Sequence, residues 1–236
     1  VPGKETGFTK DKIAVIYASG TISGGEGDET SIGSEKLSAT IRKARTDKNI
    51  KAIVLRVNSG GGSALASDVI WREVSLARKE KPVVVSMGDV AASGGYYISC
   101  AADKIVVQPN TITGSIGVIG ILLNTKKLLN NKLGITADTV KTGAFADIGS
   151  PSRPLTAAEK MIIQHSIELV YDTFLTRVAD GRKISKGMAD TLGQGRVWSG
   201  MDAVSVGLAD TLGGLYDAIG IAARMAKTDK YVIEEL

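Results

Sequence analysis

The chain has 236 residues, enough for one generous α/β domain or two small ones with no disulfide or metal staple. One cysteine, Cys100, excludes a disulfide framework and every multi-cysteine metal site, and one histidine, His165, leaves little material for a Ser-His-Asp triad. A net charge of +4, from 29 bases against 25 acids, with 5% aromatics, is too dilute to argue for nucleic acid.

The run Val1-Pro2-Gly3-Lys4-Glu5 is charged and has no apolar core, so it does not read as a signal peptide. Residues 12–17 (Lys-Ile-Ala-Val-Ile-Tyr) predict a buried strand, closed by Gly20 and a glycine-rich loop at 23–28. Leu37, Ile41 and Ala44 give helical spacing over 34–46. Residues 52–57 predict a second strand, and 64–79 a helix with Ala66, Val69, Ile70, Val74 and Ala77 on its apolar face. A third strand at 82–87 leads into a short helix reaching Cys100 and Ala102, followed by a fourth strand at 105–107. Residues 105–125 carry no charge, yet Gln108, Pro109 and Asn110 break any membrane span. Alternating strands and helices of this kind mean a mostly parallel sheet buried on both faces.

Beyond that point the chain turns helical. A short helix is expected at 125–132 and an isolated strand at 136–141. Thr156 and Glu159 form a capping-box pattern before a long helix at about 157–179. Helices near 185–191, 200–205 and 215–227 and a last strand at 231–235 follow. With no linker and no repeat, the simplest division is one domain over 1–236, with its core at about 10–155 and a helical appendage at about 156–236.

The chain holds 28 glycines, well above the roughly 7% typical of proteins. They concentrate where strands give way to helices, the end of a parallel sheet at which ligands bind. Asn58-Ser59-Gly60-Gly61-Gly62-Ser63 follows the second strand, and Ala91-Ala92-Ser93-Gly94-Gly95-Tyr96 follows the third. Two loops rich in N–H groups suit a phosphate or the oxyanion of a tetrahedral intermediate. Neither loop has the Gly-Lys-Ser/Thr ending of a phosphate loop or the G-x-G-x-x-G dinucleotide pattern. Ser93, at the first turn of a helix, is therefore either a nucleophile beside an oxyanion cradle or a plain N-cap.

Arg56-Val57-Asn58-Ser59-x-Gly61-Gly62, Met87-Gly88-x-Val90-Ala91-Ala92-Ser93-Gly94-Gly95-Tyr96-Tyr97, Thr113-Gly114-Ser115-Ile116-Gly117, Asp147-Ile148-x-Ser150-Pro151-Ser152-Arg153 and Gly195-Arg196-Val197-Trp198-Ser199-Gly200 occur in that order. Together they resemble the signal peptide peptidase A, or protease IV, family of the Clp protease and crotonase superfamily, across about residues 10–235. The resemblance implies an α/β fold of repeated β-β-α units wound as a superhelix, with parallel strands and a helical C-terminal portion. It further implies a serine endopeptidase with a Ser/Lys dyad, acting on signal peptides or other short apolar peptides. Ser93 falls at the nucleophile, Ser115 at a second serine that orients the dyad, and the N–H groups of Gly61, Gly62 and Gly94 at the oxyanion hole. No cofactor and no metal are implied. The expected setting is the extracytoplasmic face of a bacterial membrane, with the anchor outside this chain, and the expected assembly is a homo-oligomer.

One feature departs from the pattern. Single-domain relatives carry the lysine base in a Gly-x-x-Lys-Asp segment, which here reads Gly143-Ala144-Phe145-Ala146-Asp147. Ala146 stands at the base position. Long tandem members take the lysine from their amino-terminal half and the serine from the carboxyl-terminal half, and the tail here resembles such a second half. A single-domain enzyme with its lysine exchanged for alanine, or a natural pseudoenzyme, also fits. The lysine would then come from an amino-terminal half or a neighbouring subunit. Lys141 and Lys104 are the alternative bases within the chain, each otherwise a surface lysine. A crotonase-like acyl-CoA enzyme and a non-catalytic peptide-binding half remain open as rival readings. Tyr96 and Tyr97 are divided between groove and core, and Trp71, Trp198, Cys100 and His165 read as packing or surface residues.

Overall fold

A computed structural model describes residues 9–236, so the charged run at 1–5 lies outside the described residues. The chain forms two compact units, one running to Gly117 and resuming from Thr173 to Leu236, the other spanning Val118–Asp172. The first unit opens with β1 (Lys12–Ser19), β2 (Thr21–Ser23), β3 (Ser31–Gly33), α1 (Ser34–Thr46) and β4 (Ile50–Ser59). It continues through α2 (Ala64–Glu80), β5 (Val83–Ala92), α3 (Gly94–Ser99), β6 (Lys104–Val107) and β7 (Ile112–Gly114). Next come α4 (Lys126–Lys132) in the second unit and α5 (Ala157–Arg182), which belongs to the second unit up to Asp172 and to the first from Thr173. The chain closes with α6 (Lys186–Leu192), β8 (Val197–Ser199), α7 (Gly200–Ser205), β9 (Thr211–Leu212), α8 (Leu215–Met225) and β10 (Val232–Glu235).

The main sheet runs in the order β10-β1-β4-β5-β6-β9, every pair parallel. β7 pairs in parallel with the far end of β5, and β8 runs antiparallel to β7. This mixed α/β architecture, with its mostly parallel sheet, agrees with the fold expected from the sequence motifs. The central strands β1, β4 and β5 are buried nearly throughout, because helices cover both faces. On one face Ile13, Val15, Val54, Val84 and Val106 pack against Ala218, Ile219, Ala222 and Ala223 of α8. Elsewhere α1 packs on α2, and α2 on α3.

Local chemistry explains the element ends. The Ser63 hydroxyl caps α2 by accepting from Ala66 N–H. The capping box of α5 is present: Glu159 N–H donates to Thr156 Oγ1 (3.2 Å) and Thr156 N–H to Glu159 Oε2 (2.8 Å). The strand expected at 136–141 does not form. Residues 136–141 are all exposed, no strand lies beside them among the described residues, and the Asp138 carboxylate accepts from the adjacent Thr139 N–H instead. A β-strand is stable only against a ladder partner, so apolar alternation alone could not decide it.

Candidate active site

Two strands deliver two serines to one place. β5 and β7 pair with Ala92 opposite Gly114, so the residues that follow, Ser93 and Ser115, leave the sheet side by side. Thr113 Oγ1 fixes the pairing by donating to the Ala91 carbonyl (2.8 Å), and Thr111 Oγ1 does the same at Gly88 (2.8 Å). Both serines have positive φ, 52° at Ser93 and 48° at Ser115, a region that non-glycine residues enter only when their surroundings impose it. The imposing bonds are visible. Ser93 N–H donates to Gly114 O (2.9 Å), the Ser93 carbonyl accepts from Tyr97 N–H (2.9 Å), and Ser115 N–H donates to Arg196 O (2.6 Å).

Ser93 stands at the N-cap of α3, but its hydroxyl makes no capping hydrogen bond. A serine serving only as a cap would accept from the first turn of the helix. Positive φ with no cap is also the geometry of the strand-to-helix elbow that carries a serine in other hydrolases.

The glycine loop after β4 lies directly against this elbow. A Cβ on Gly61 would sit 2.5 Å from the Gly94 nitrogen and 3.0 Å from Ser93 Cβ, and one on Gly94 would sit 3.2 Å from the Gly62 nitrogen. No side chain fits between the loops, which explains the glycines there. The Gly61 N–H donates to Ser59 Oγ (3.1 Å). The N–H groups of Gly62 and Gly94 have no backbone acceptor among the described residues. Ser59 Oγ in turn donates to Gly20 O (2.6 Å), and Ile22 straps Gly62 through Ile22 N–H to Gly61 O (2.9 Å) and Ser63 N–H to Ile22 O (2.9 Å). Asn58 Oδ1 accepts from Val90 N–H (3.1 Å) where the β4–β5 register slips, tying the two loops together.

The fold gathers the five residues that the sequence motifs single out, Ser93, Ser115, Gly61, Gly62 and Gly94. Ile22, Thr113 and Asn58, which brace the same loops, were not singled out. Thr113 and Asn58 stood inside the quoted motifs, but their contacts depend on strand register, and Ile22 came from a strand too short to detect.

The remaining candidates separate cleanly. Tyr96 is fully buried, its hydroxyl on Leu208 O (2.8 Å), and Tyr97 packs on Phe174 with its hydroxyl on Asp68 (2.7 Å). Cys100 is buried, and desolvation pushes its thiol up to about 12. His165 is exposed on α5. Lys104 pairs with Asp210 (3.2 Å) and Lys141 with Asp147 (3.1 Å). Ala146 sits exposed in a turn, its N–H on Gly143 O (3.3 Å). No cluster that could hold a metal and no helix long and apolar enough to cross a membrane occurs among the described residues.

Comparisons with known proteins give the family. Residues 75–229 match the family described as Peptidase family S49. The chain is 46% identical to Protease 4 of Salmonella typhi over 98% of its length, and 44% identical to Protease 4 of Haemophilus influenzae over 91%. It is also 42% identical over 92% of its length to a chloroplastic Arabidopsis thaliana protein named serine protease SPPA. The matched region makes up 37%, 35% and 33% of those three relatives, so the chain spans about a third of their length.

Proposed function

The chain belongs to peptidase family S49, the serine peptidases named above, and from that premise we propose that Ser93 is its nucleophile within a Ser/Lys dyad whose lysine lies outside this chain. One observation carries the assignment: the uncapped, positive-φ Ser93 pressed against Gly61, with Gly94 against Gly62. In the reaction Ser93 Oγ bonds to the scissile carbonyl carbon while its proton passes to a neutral lysine amine. The Gly62 and Gly94 N–H groups receive the oxyanion, and Gly61 holds their loop against the elbow. Collapse breaks the C–N bond, the leaving amine takes the proton from the lysine, and water hydrolyses the acyl ester. Ser115 orients the dyad from the adjoining strand end.

The base must be neutral near pH 7 although a free lysine titrates near 10.4, which requires a desolvated pocket. Ala146 has no proton to exchange, and Lys104 and Lys141 are held by carboxylates. The lysine therefore comes from an amino-terminal half or a neighbouring subunit, and the isolated chain has negligible peptidase activity. Substrates are signal peptides or other short apolar peptides, met at the extracytoplasmic face of a bacterial membrane. Exposed apolar residues in the second unit, among them Ile119, Ile121, Leu123 and Val140, support assembly with further copies.

Hydrolysis of a short apolar peptide ester tests the dyad. The unmodified chain should be inert, and adding a lysine-bearing amino-terminal half should bring activity that Ser93→Ala abolishes. Activity restored by Ala146→Lys alone would relocate the dyad within one chain. Strong activity in the unmodified chain, surviving Ser93→Ala, would overturn the assignment.

A further inference from the structure

In the first unit, residues of α1, α2 and the last turns of α5 enclose an open cleft of about 540 Å³. That volume lies within the usual range of small-molecule sites, roughly 300–1,000 Å³. Its charges are unevenly matched. Glu73 accepts from Arg42 through Nε (3.2 Å) and Nη2 (2.7 Å) and pairs with Arg45 (3.6 Å). Asp68 accepts from the Tyr97 hydroxyl (2.7 Å) and from Arg177 Nε (3.1 Å). Asp68 is thus answered within the fold, whereas Glu73 is answered through Oε1 and its Oε2, although it faces Arg45, makes no hydrogen bond. Arg72, on the same wall, has no hydrogen bond or ion pair among the described residues, so one positive charge is left over.

Two lining donors also lack acceptors. Ser38 is only 4% exposed, and neither its Oγ nor Trp71 Nε1 has a hydrogen-bond partner. Buried polar groups without partners are uncommon in folded proteins, and this cleft has three, the donors Ser38 Oγ and Trp71 Nε1 and the acceptor Glu73 Oε2. Arg177 covers one face of the Trp71 ring at 3.8 Å. Beside them on α2 stand Val69 and, one turn earlier, Leu65, both exposed.

We propose that this cleft is a second ligand site, one that takes a carboxylate carried on an apolar body. Arg72 pairs with the charge, the Ser38 hydroxyl and Trp71 N–H donate to the carboxylate oxygens, and Val69 and Leu65 cover the apolar part. Each carboxylate already faces arginine, Asp68 facing Arg177 and Glu73 facing Arg42 and Arg45, and a doubly charged phosphate finds only one unmatched base. The site is independent of the role of Ser93. It nonetheless reaches α3, because Tyr97 gives its hydroxyl to Asp68 and its N–H to Ser93 O. Such a carboxylate could be a peptide C-terminus or a fatty acid.

The chain has two tryptophans, so Trp198→Phe leaves Trp71 as the only indole reporter. Titration of that variant with N-acetyl-leucine, octanoate and N-acetyl-leucinamide should give saturable fluorescence changes with one or both acids and none with the amide. Arg72→Gln should weaken binding about tenfold or more. Tighter binding of N-acetyl-leucine assigns the site to peptide C-termini, and tighter binding of octanoate to fatty acids. Calorimetry on the unsubstituted chain guards against a fold lost through Trp198→Phe. The proposal fails if neither acid saturates in either experiment, if the amide binds equally, or if Arg72→Gln leaves affinity unchanged.

Discussion

The first unit and the second are ordered by different forces. In the first, β1, β4 and β5 bury nearly every side chain, and the glycine loops that hold Ser93 rest on that core. In residues 118–172 the one buried residue is a carboxylate, Glu159, while Val140 is fully exposed and Ile119 and Ile121 nearly so. What holds this second unit is charge. Arg153 donates through Nε and Nη2 to both oxygens of Asp147 (2.7 Å each), through Nη1 to Glu159 Oε2 (2.8 Å), and Lys141 adds to Asp147 (3.1 Å). Apolar burial tolerates changes of pH and salt, whereas ion pairs do not. The contrast teaches that the elbow rests on a buried apolar core and that the second unit rests on ion pairs.

The sharpest way to break the first unit's side of this contrast is Gly61→Ala. A Cβ there meets the Gly94 nitrogen at 2.5 Å, and the φ of +100° is itself strained for alanine, by about 1–3 kcal/mol. The loop must withdraw from the elbow. Labelling of Ser93 by an acyl-directed probe, with a lysine-bearing half present, should slow by about 10²-fold or more, as when one oxyanion donor is lost. An unchanged rate would mean that the two loops need not touch.

Acid should separate the units next. Arg153 first, and then the Thr156 N–H, hold Glu159 at about 2, below its ordinary 4.5. Asp147 is held well below the usual carboxylate range by Arg153 and then Lys141. For such groups the folded pKa lies under the unfolded one. Their stabilisation is therefore complete above about pH 4.5 and is lost as pH falls from there towards 2. Hydrogen exchange followed from pH 5 to 2.5 should show 141–160 opening while β4 and β5 stay protected. Arg153→Met should produce the same opening at neutral pH, seen as faster proteolysis within 118–172. Simultaneous opening of both units would contradict the division.

A smaller effect belongs to the first unit alone. Lys81 Nζ donates to three carbonyls, Ala44 (2.9 Å), Asp47 (2.9 Å) and Ile50 (2.8 Å), closing the end of α1 onto the start of β4. Lys81→Met removes charged donors worth about 1–2 kcal/mol in net stability. At this size that lowers Tm by roughly 2–4 °C per kcal/mol, with the protease sensitivity of 118–172 unchanged.

The same contrast explains what could be read from sequence. Long strands and helices of the first unit were legible because burial writes a period into the residues, as at 34–46 and 64–79. β2, β3, β7, β8 and β9 are two or three residues long, too short to carry one, although Ile22 and Thr113 on them fix the site. Ser93 was legible because a serine between small residues and glycines marks an elbow. Which glycine N–H groups stay free was not, since that depends on Ser59 Oγ taking up Gly61. In the second unit the Thr156–Glu159 box was visible as local spacing. The exposure of Val140 was not, because alternation cannot report a missing neighbour.

The smallest expected signal is a silence in the core, and it measures the contrast directly. Cys100 lies under Gly181, where a Cβ would come within 2.0 Å of the Cys100 carbonyl, so α5 closes over it with no space for a reagent. Burial also raises its thiol to about 12, leaving almost no thiolate at pH 8. A disulfide reagent should not modify the native chain, and labelling in urea should report opening of the first unit only. Proteolysis within 118–172 reports the second. Across one urea series at pH 8, cleavage in 118–172 should appear at lower urea than Cys100 labelling, because the second unit lacks a buried apolar core. Coincident midpoints would show that the two units unfold as one, and the charge network around Arg153 would then be no weaker than the sheet.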